Sequence, residues 1–510
     1  MIFYGTILKN NADTDKGGRM YLGIDLGTSG VKITAVNKNG EITASSSREY
    51  PVHYSNNGWS DQNPSDWIKG VKDSMKEILE KTGTDNIKGI GISGQMHGLV
   101  ILGEDKEVLY PVILWNDQRT VEESEFLNNE IGMDKLTEYT SNISFTGFTA
   151  SKLLWLKKNE PEIFGKIRHI MLPKDYIGYI LTGKFYTDVS DASGTLFFDV
   201  KNRKWSDEMI KILGIKKEYL PEIFESYEIT GELRQEIMDE LGISGKVPVA
   251  AGGGDNACGA IGAGVVGEDK ILVSLGTSGV VFMPKKKWSL PEKSSMHTFC
   301  DSSGKYHFMG VILSAASCLK WWIEDIHDGN YEKMLGEAEQ SVIGSNNLFF
   351  LPYLTGERTP HSDPYARGSF IGLTAAHTRG DMTRAVMEGI IFALYDSYNL
   401  ADGLNPDTIR IIGGGAKSEL SRKILTDVFN IKSEVLAVQE GPSYGAALLA
   451  LFGTENEKNM DEKLGEIVKI TDIIEPDKEN HKKYQKRYEV YTRLYEALKN
   501  EFFEISRLQQ

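Results

Sequence analysis

The sequence predicts an α/β chain built twice, and three observations carry that prediction. The hexapeptide Leu26-Gly27-Thr28-Ser29-Gly30-Val31 recurs residue for residue at Leu275–Val280. Each copy is entered by a short apolar run (LGID, ILVS) and left by a β-branched one (VKITAV, VVFM), the pattern of strand, tight turn, strand. And 510 residues are too many for one hydrophobic core. Two ordinary hairpins could share such a turn. An identical hexapeptide opening both halves reads instead as a duplicated architecture.

The turns themselves suggest chemistry. Two glycines flanking two hydroxyl residues let the backbone bend sharply and leave N–H and O–H groups free for an anion such as phosphate. Thr28, Ser29 and Gly30 are the candidates in the first copy, Gly276 and Thr277 in the second. Asp25 precedes the first repeat where Ser274 precedes the second. A carboxylate beside a phosphate turn needs a cation between them, so Asp25 predicts Mg²⁺, held through water.

Composition narrows the partners. The chain carries 57 Lys+Arg against 72 Asp+Glu, a net charge of −15, which argues against nucleic acid or an anionic membrane surface. Cys258, Cys300 and Cys318 are odd in number and lack metal-type spacing, as expected of buried thiols in a reducing cytoplasm. No apolar run is long enough to span a bilayer. Residues 1–19 carry no signal-peptide pattern. The Lys-Gly-Gly-Arg before Met20 is what a purine-rich ribosome-binding site would encode, so Met20 reads as the natural start.

The elements follow in order. After the first hairpin, Asn39-Gly40 turns the chain into a strand ending at Tyr50. Asn63-Pro64 caps and opens a helix to about Lys81. A strand over Ile87–Ser93 runs into Gly94-Gln95-Met96-His97-Gly98, a loop at the carboxyl end of a strand, where open α/β sheets place ligands. A lone histidine is commonly structural; two flanking glycines after a buried strand turn His97 toward substrate contact. Leu114–Arg119 reads as core plus helix cap, and 149–245 as a helical insertion. Within that insertion, Asp188–Thr195 is a turn scaffold or a cleft wall.

Val247–Gly254 reads as a buried strand entering three glycines, with Asp255 at a helix N-terminus. Asp255 suits an N-cap, a base that takes a proton from a substrate hydroxyl during phosphoryl transfer, or both. In the second half, strands with adjoining turns are expected over 310–319 and 348–354, then a polar loop at Gly356–His361. A helix is expected over about 380–401. A strand over Ile409–Ile412 enters Gly413-Gly414-Gly415-Ala416, where glycines can lie against an adenosine or merely allow tight packing. A helix follows over about 417–429, and a charged helix from Pro476.

No Gly-Lys dipeptide is followed by Ser or Thr, so there is no P-loop. The GxGxxG matches at Gly89–Gly94 and Gly262–Gly267 lack the strand–turn–helix context of a dinucleotide fold. Taken together, DLGTSG at 25–30, SGQMHG at 93–98, GGGDNA at 252–257, SLGTSG at 274–279 and GGGA at 413–416 resemble the FGGY family of carbohydrate kinases. The resemblance runs from Met20 to near the end and includes ILWNDQR, LPKDY, SDASGT, LSAASCL and LPYLTGERTPH. Met96-His97 separates the chain from glycerol kinase-like relatives, which carry Arg-Glu there.

The resemblance implies two ribonuclease-H-like domains of the actin and sugar-kinase superfamily, with mixed sheets flanked by helices and a cleft between them. Residues 20–265 would bind sugar and supply the base, residues 266–510 would bind nucleotide, and 1–19 would be an extension, disordered or non-native. It further implies Asp255 as catalytic base, Met96, His97 and Asn256 as substrate contacts, and Asp25 serving Mg²⁺. Thr28, Ser29, Gly30, Gly276 and Thr277 would hold phosphates, and Gly414, Gly415 and Ala416 adenosine. Lys32 matches a position where some relatives place an Arg near the γ-phosphate, or points to solvent. The expected reaction is ATP-dependent phosphorylation of a ketose, D-xylulose, in the cytoplasm, with a homodimer through the second domain compatible with the family. Ribulose, gluconate or fuculose kinases are the nearest alternatives. A chaperone-type ATPase is the alternative of a different class, disfavoured by the dedicated base in GGGDNA.

Overall fold

The computed structural model describes residues 18–55, 58–291, 295–401 and 403–508; the expectation for residues 1–17 lies outside the described residues. Two seven-stranded mixed sheets organise it. In the first, β1 (Met20–Leu26) and β2 (Gly30–Asn37) form the predicted hairpin, with Leu26 opposite Val31. β3 (Ile42–Glu49) continues antiparallel on β2. β4 (Ile87–Gly94) lies parallel on the other side of β1. β5 (Ile229–Glu232) and β6 (Pro248–Ala250) complete the order β5-β6-β4-β1-β2-β3, and β7 (Gly253–Gly254) pairs at the end of β4.

The second sheet repeats the scheme. β8 (Lys270–Leu275) and β9 (Gly279–Lys285) are the second hairpin. β10 (His297–Cys300) and β11 (Tyr306–Ile312) extend it antiparallel. β12 (Thr408–Ile412) and β13 (Lys432–Leu436) add in parallel, and β14 (Ile470–Ile474) closes antiparallel. The order β10-β11-β9-β8-β12-β13-β14 matches the first sheet strand for strand, with β10 extra.

Helix signals were legible. Asn63 caps α1 (Pro64–Thr82) by accepting from the Ser65 N–H at 3.1 Å, with Pro in the first turn. Thr378 and Asp381 form a capping box on α5 (Arg379–Asn399; α2 to α4 are defined below), which satisfies orphan N–H groups at both residues.

Three expectations are corrected. The span 149–245 is not simply helical: it mixes helices α2 (Thr149–Asn159) and α3 (Pro173–Thr182) with short strands, and its β5 joins the main sheet. Its short strands fall below the length at which period-2 alternation is readable. The strand expected over 247–254 is broken into β6 and β7 by Gly252, at φ +72°. A Cβ there would lie 1.7 Å from the Ile92 carbonyl oxygen, so only glycine lets the chain pass this close to β4. Residues 310–319 leave the strand at Ile312 and turn helical at Ala316.

One packing relation crosses the halves. α7 (Pro442–Glu455; α6 is Glu419–Phe429) belongs by sequence to the second half yet lies on the face of the first sheet. A Cβ on Gly91 would meet the Ala446 carbonyl oxygen at 2.1 Å. Gly89 and Gly91 of the rejected GxGxxG in β4 thus bring helix and sheet into close contact. α7 also packs on α4 (Asp255–Gly262), where a Cβ on Gly445 would fall 1.8 Å from the Cys258 carbonyl oxygen. All three cysteines are free and buried.

Candidate active site

Strand register assembles the acidic centre. Asp25 of β1 lies opposite Ser93 of β4, and Gly253 of β7 lies on the far side of Ser93. Two residues beyond Gly253, Asp255 opens α4. Gly254 occupies the cap position, so Asp255 sits in the first turn. Its Oδ1 accepts from the Asn256 backbone N–H at 2.7 Å and from Asn256 Nδ2 at 2.9 Å, while Oδ2 takes no hydrogen bond among the described residues. Burial raises Asp255 to about 6 against the lowering effect of those two bonds. Burial and then the Asp255 charge raise Asp25 to about 7. Asp25 Oδ1 is buried without a partner in hydrogen-bonding geometry among the described residues, and the nearby Ser93 hydroxyl partly offsets the rise. Two neighbouring carboxylates with raised proton affinity and one orphaned oxygen fit a divalent cation.

Beside this centre the QMH loop is tightly shaped. Gly98 N–H donates to the Met96 carbonyl at 2.9 Å, leaving His97 at φ +68° in a three-residue turn; such strain needs surrounding support. The support is visible. The His97 carbonyl accepts from Lys152 Nζ at 2.7 Å and Thr149 Oγ1 at 3.1 Å, both on α2. Its ring stacks on Phe148 with centroids 4.5 Å apart. Nδ1 lies 2.7 Å from the Gly194 carbonyl oxygen. A carbonyl only accepts, so Nδ1 carries the proton and Nε2 is left as an acceptor. Burial lowers His97 to about 3, so the ring is neutral. Met96 packs on both neighbours: a Cβ on Gly254 would meet its Sδ at 3.0 Å, and one on Gly194 its Cε at 3.0 Å. The segment 188–195 is therefore a wall of the site. It is also a brace, because Ser190 Oγ accepts from the Gly254 N–H at 3.1 Å.

The first repeat turn closes by Gly27 N–H to the Gly30 carbonyl at 3.0 Å. Its hydroxyl is oriented from outside: Trp115 Nε1 donates to Thr28 Oγ1 at 2.9 Å, and Gln62 Nε2 to the Thr28 carbonyl at 2.6 Å. Trp115 is thus more than core. The rest of its segment is a buried ion-pair network in which Arg119 bonds Asp117 at 2.7 Å and Asp61 at 2.6 Å. The second turn is braced through its backbone: the Thr277 carbonyl accepts from Ala315 N–H at 2.9 Å, and the Gly276 carbonyl from Ala316 N–H at 2.9 Å. Gly413 and Gly415 press on this turn, since a Cβ on either would come within 3 Å of Leu275 atoms. The structure therefore brings Gly414, Gly415 and Ala416 beside Gly276 and Thr277. Lys32, opposite Asp25 on β2, pairs with Glu440 of the second half rather than pointing freely to solvent. A separate 940 Å³ cavity, lined by Tyr227, Lys305 and Asn456 among others, lies away from these groups.

Sequence reasoning did not single out Phe148 or Lys152, and it quoted Gly194 only within the Asp188–Thr195 stretch. The signal for Phe148 and Lys152 is weak, since the stacking partner of His97 lies 51 residues further along the chain, just before the inserted segment.

Fold and site together define a two-domain kinase of the actin and hexokinase kind, with two ribonuclease-H-like domains. Residues 20–262 match the N-terminal domain, and 271–454 the C-terminal domain, of the FGGY family of carbohydrate kinases. The chain belongs to the FGGY family of carbohydrate kinases. It is 40% identical over 483 residues to the xylulose kinase of Escherichia coli (strain K12), covering 94% of this chain and 99% of that one. A solved xyloylose kinase from Brucella ovis superposes with TM-score 0.89 at 36% identity, over 94% of this chain and 100% of that one. A gluconate kinase from Lactobacillus acidophilus gives TM-score 0.92 at 29% identity, over 96% and 100%. The chain is an ATP-dependent carbohydrate kinase using Mg²⁺. Among the described residues, no helix is long and apolar enough to cross a membrane.

Proposed function

We propose that this chain transfers the γ-phosphoryl group of ATP to the terminal hydroxyl of D-xylulose, in the cytoplasm. The observation that supports it best is a carboxylate oxygen of Asp255 without a hydrogen bond among the described residues, next to Gly254 on which Met96 packs, with the neutral acceptor His97 following Met96, in a chain closely similar to xylulose kinases. Asp255 Oδ2 accepts the hydroxyl proton as the sugar oxygen–phosphorus bond forms and the β–γ bridging bond breaks. Asn256 fixes the other oxygen, so the free one keeps a single orientation. His97 Nε2 accepts from a second sugar hydroxyl, and Met96 covers the sugar's apolar side. Thr28, Ser29 and Gly30, with Gly276 and Thr277, offer N–H and O–H donors to the phosphates, and Gly414, Gly415 and Ala416 lie against adenosine. Asp25 would hold Mg²⁺, which when bound supplies neutralisation of phosphate charge. Most of the acceleration then comes from positioning. A homodimer through the second half belongs to the same proposal, checked by sedimentation.

The gluconate kinase likeness favours a second reading, in which the same phosphate machinery serves an aldonate. Coupled ADP release over D-xylulose, D-ribulose, L-ribulose, L-fuculose, glycerol and gluconate tests both. Strong turnover of D-xylulose that collapses in Asp255→Ala supports the proposal. Preference for another sugar overturns the substrate, and sugar-independent turnover untouched by the substitution overturns the base.

A further inference from the structure

The His97 pocket has a wall that belongs to the other half of the chain. Arg358, in the loop of Gly356–His361, lays its guanidinium over the Phe145 ring at 5.4 Å. A Cβ on Gly147 would lie 3.6 Å from its Nη2. His297 of β10 meets the same ring edge-on at 5.1 Å and lies 5.4 Å from Phe148, the ring on which His97 stacks. Phe145 and Phe148 thus join His97 to two polar residues of the second half.

Neither residue is satisfied by the protein. Arg358 makes no ion pair or side-chain hydrogen bond among the described residues, although its neighbour Glu357 is buried; Glu357 Oε1 accepts the Leu313 and Arg358 backbone N–H groups instead. Both ring nitrogens of His297 are buried without a partner among the described residues. Buried polar groups are normally hydrogen-bonded, so the buried His297 ring is costly to the empty fold; Arg358 is half-buried, and the adjacent Glu357 charge partly offsets its desolvation. Such a group persists where it meets a ligand. Burial also lowers Arg358, to about 10.

The layout gives direction. Asp255 reaches the pocket through Gly254 and Met96, whereas Arg358 reaches it through Phe145 and Phe148, with His97 common to both. We propose that Arg358 is a specificity-determining residue that donates to the oxygen on the sugar's oxidised carbon, at the end away from the phosphorylated hydroxyl, with His297 completing that wall. In an open-chain ketose this oxygen is the C2 carbonyl, an acceptor only, which suits a guanidinium that only donates. His297, carrying one donor and one acceptor nitrogen, suits the adjacent C1 hydroxyl. The inference rests on the proposed ketose kinase function and deepens it.

The test compares D-xylulose with xylitol, which has a hydroxyl in place of that carbonyl. The proteins are wild type, Arg358→Met and Arg358→Lys, with KM for ATP and the melting temperature as controls. Arg358→Met is expected to raise KM for D-xylulose by about 10-fold or more and to bring the D-xylulose-to-xylitol ratio of kcat/KM toward unity. KM for ATP should stay within about twofold, and Arg358→Lys should recover part of the ratio. An unchanged ratio in Arg358→Met overturns the inference. So does a common loss of D-xylulose affinity, ATP affinity and melting temperature in both variants, which marks a structural role. A wild type inactive on ketoses but active on gluconate overturns the proposed substrate. The inference then survives only if Arg358→Met raises KM for gluconate, whose oxidised carbon is a carboxylate, and falls otherwise.

Discussion

Asn256 Nδ2 donates to Asp255 Oδ1 at 2.9 Å, and the Asn256 backbone N–H donates to the same oxygen at 2.7 Å. One residue thereby holds half of the proposed base and leaves the other half to a substrate hydroxyl. Asp255→Asn removes the proton acceptor but keeps the shape, so kcat should fall by at least about 10²-fold with both KM values little changed. Asn256→Ala frees the carboxylate to rotate, and losing that bond costs about 1 kcal/mol, or somewhat under 10-fold in kcat. Coupled ADP release with D-xylulose reads both, and full kcat in Asp255→Asn would rule out the base.

The Asp25 carboxylate costs the empty fold stability. Its folded pKa of about 7 lies above the ordinary 3.8, so the charged form is disfavoured in the fold. The penalty is absent below the ordinary value, grows as pH rises through the interval, and is complete above pH 7. Asp25→Asn, without nucleotide or metal, should therefore be more stable than wild type at pH 8 by on the order of 1–3 kcal/mol. The gain should vanish near pH 4, while phosphorylation is lost at both. Denaturant melts at the two pH values check the sign, and a variant less stable at pH 8 would refute it.

Gly194 gives His97 both its tautomer and its room. A Cβ there would stand 2.6 Å from His97 Cε1 and 2.7 Å from Nδ1, so Gly194→Ala must displace the ring. The expected result is a rise of about 10-fold in KM for the sugar, equivalent to 1.4 kcal/mol, at nearly constant KM for ATP. Initial-rate measurements with each substrate varied in turn separate the two.

Trp115 touches neither proposed substrate directly, yet it holds the Thr28 hydroxyl at 2.9 Å. Trp115→Phe keeps much of the ring and removes one hydrogen bond worth about 1 kcal/mol. A fall of up to about 5-fold in kcat is expected, with the melting temperature shifted by no more than a few degrees.

Between α4 and α7 there is no space for a side chain at Gly445, where a Cβ would lie 1.8 Å from the Cys258 carbonyl oxygen. Gly445→Ala should destabilise by about 2–3 kcal/mol and lower the melting temperature, because backbone on both helices must move. An unchanged melting temperature would show that the two helices can part without cost.

The chain carried its duplication, both hairpins and the helix caps in plain view, because each is a local pattern. A repeated hexapeptide, an Asn-Pro start and a glycine-lined turn act within a few residues of themselves. Met96-His97 was legible in the same way, as a loop at a strand's carboxyl end. The broken strand at Gly252 was not, since the break is forced by the Ile92 carbonyl on a neighbouring strand.

What the sequence by itself determined, then, was the two-domain α/β class and which short segments are the candidates for phosphate and proton chemistry. Tertiary structure alone decided how those segments are completed. It set Phe148 on the His97 ring, Trp115 on Thr28, Glu440 on Lys32, and Arg358 of the second half over Phe145 of the first. The physical reason is range: turn and cap preferences are settled by neighbours along the chain, whereas burial, desolvation and side-chain pairing depend on groups brought together only when the sheets pack.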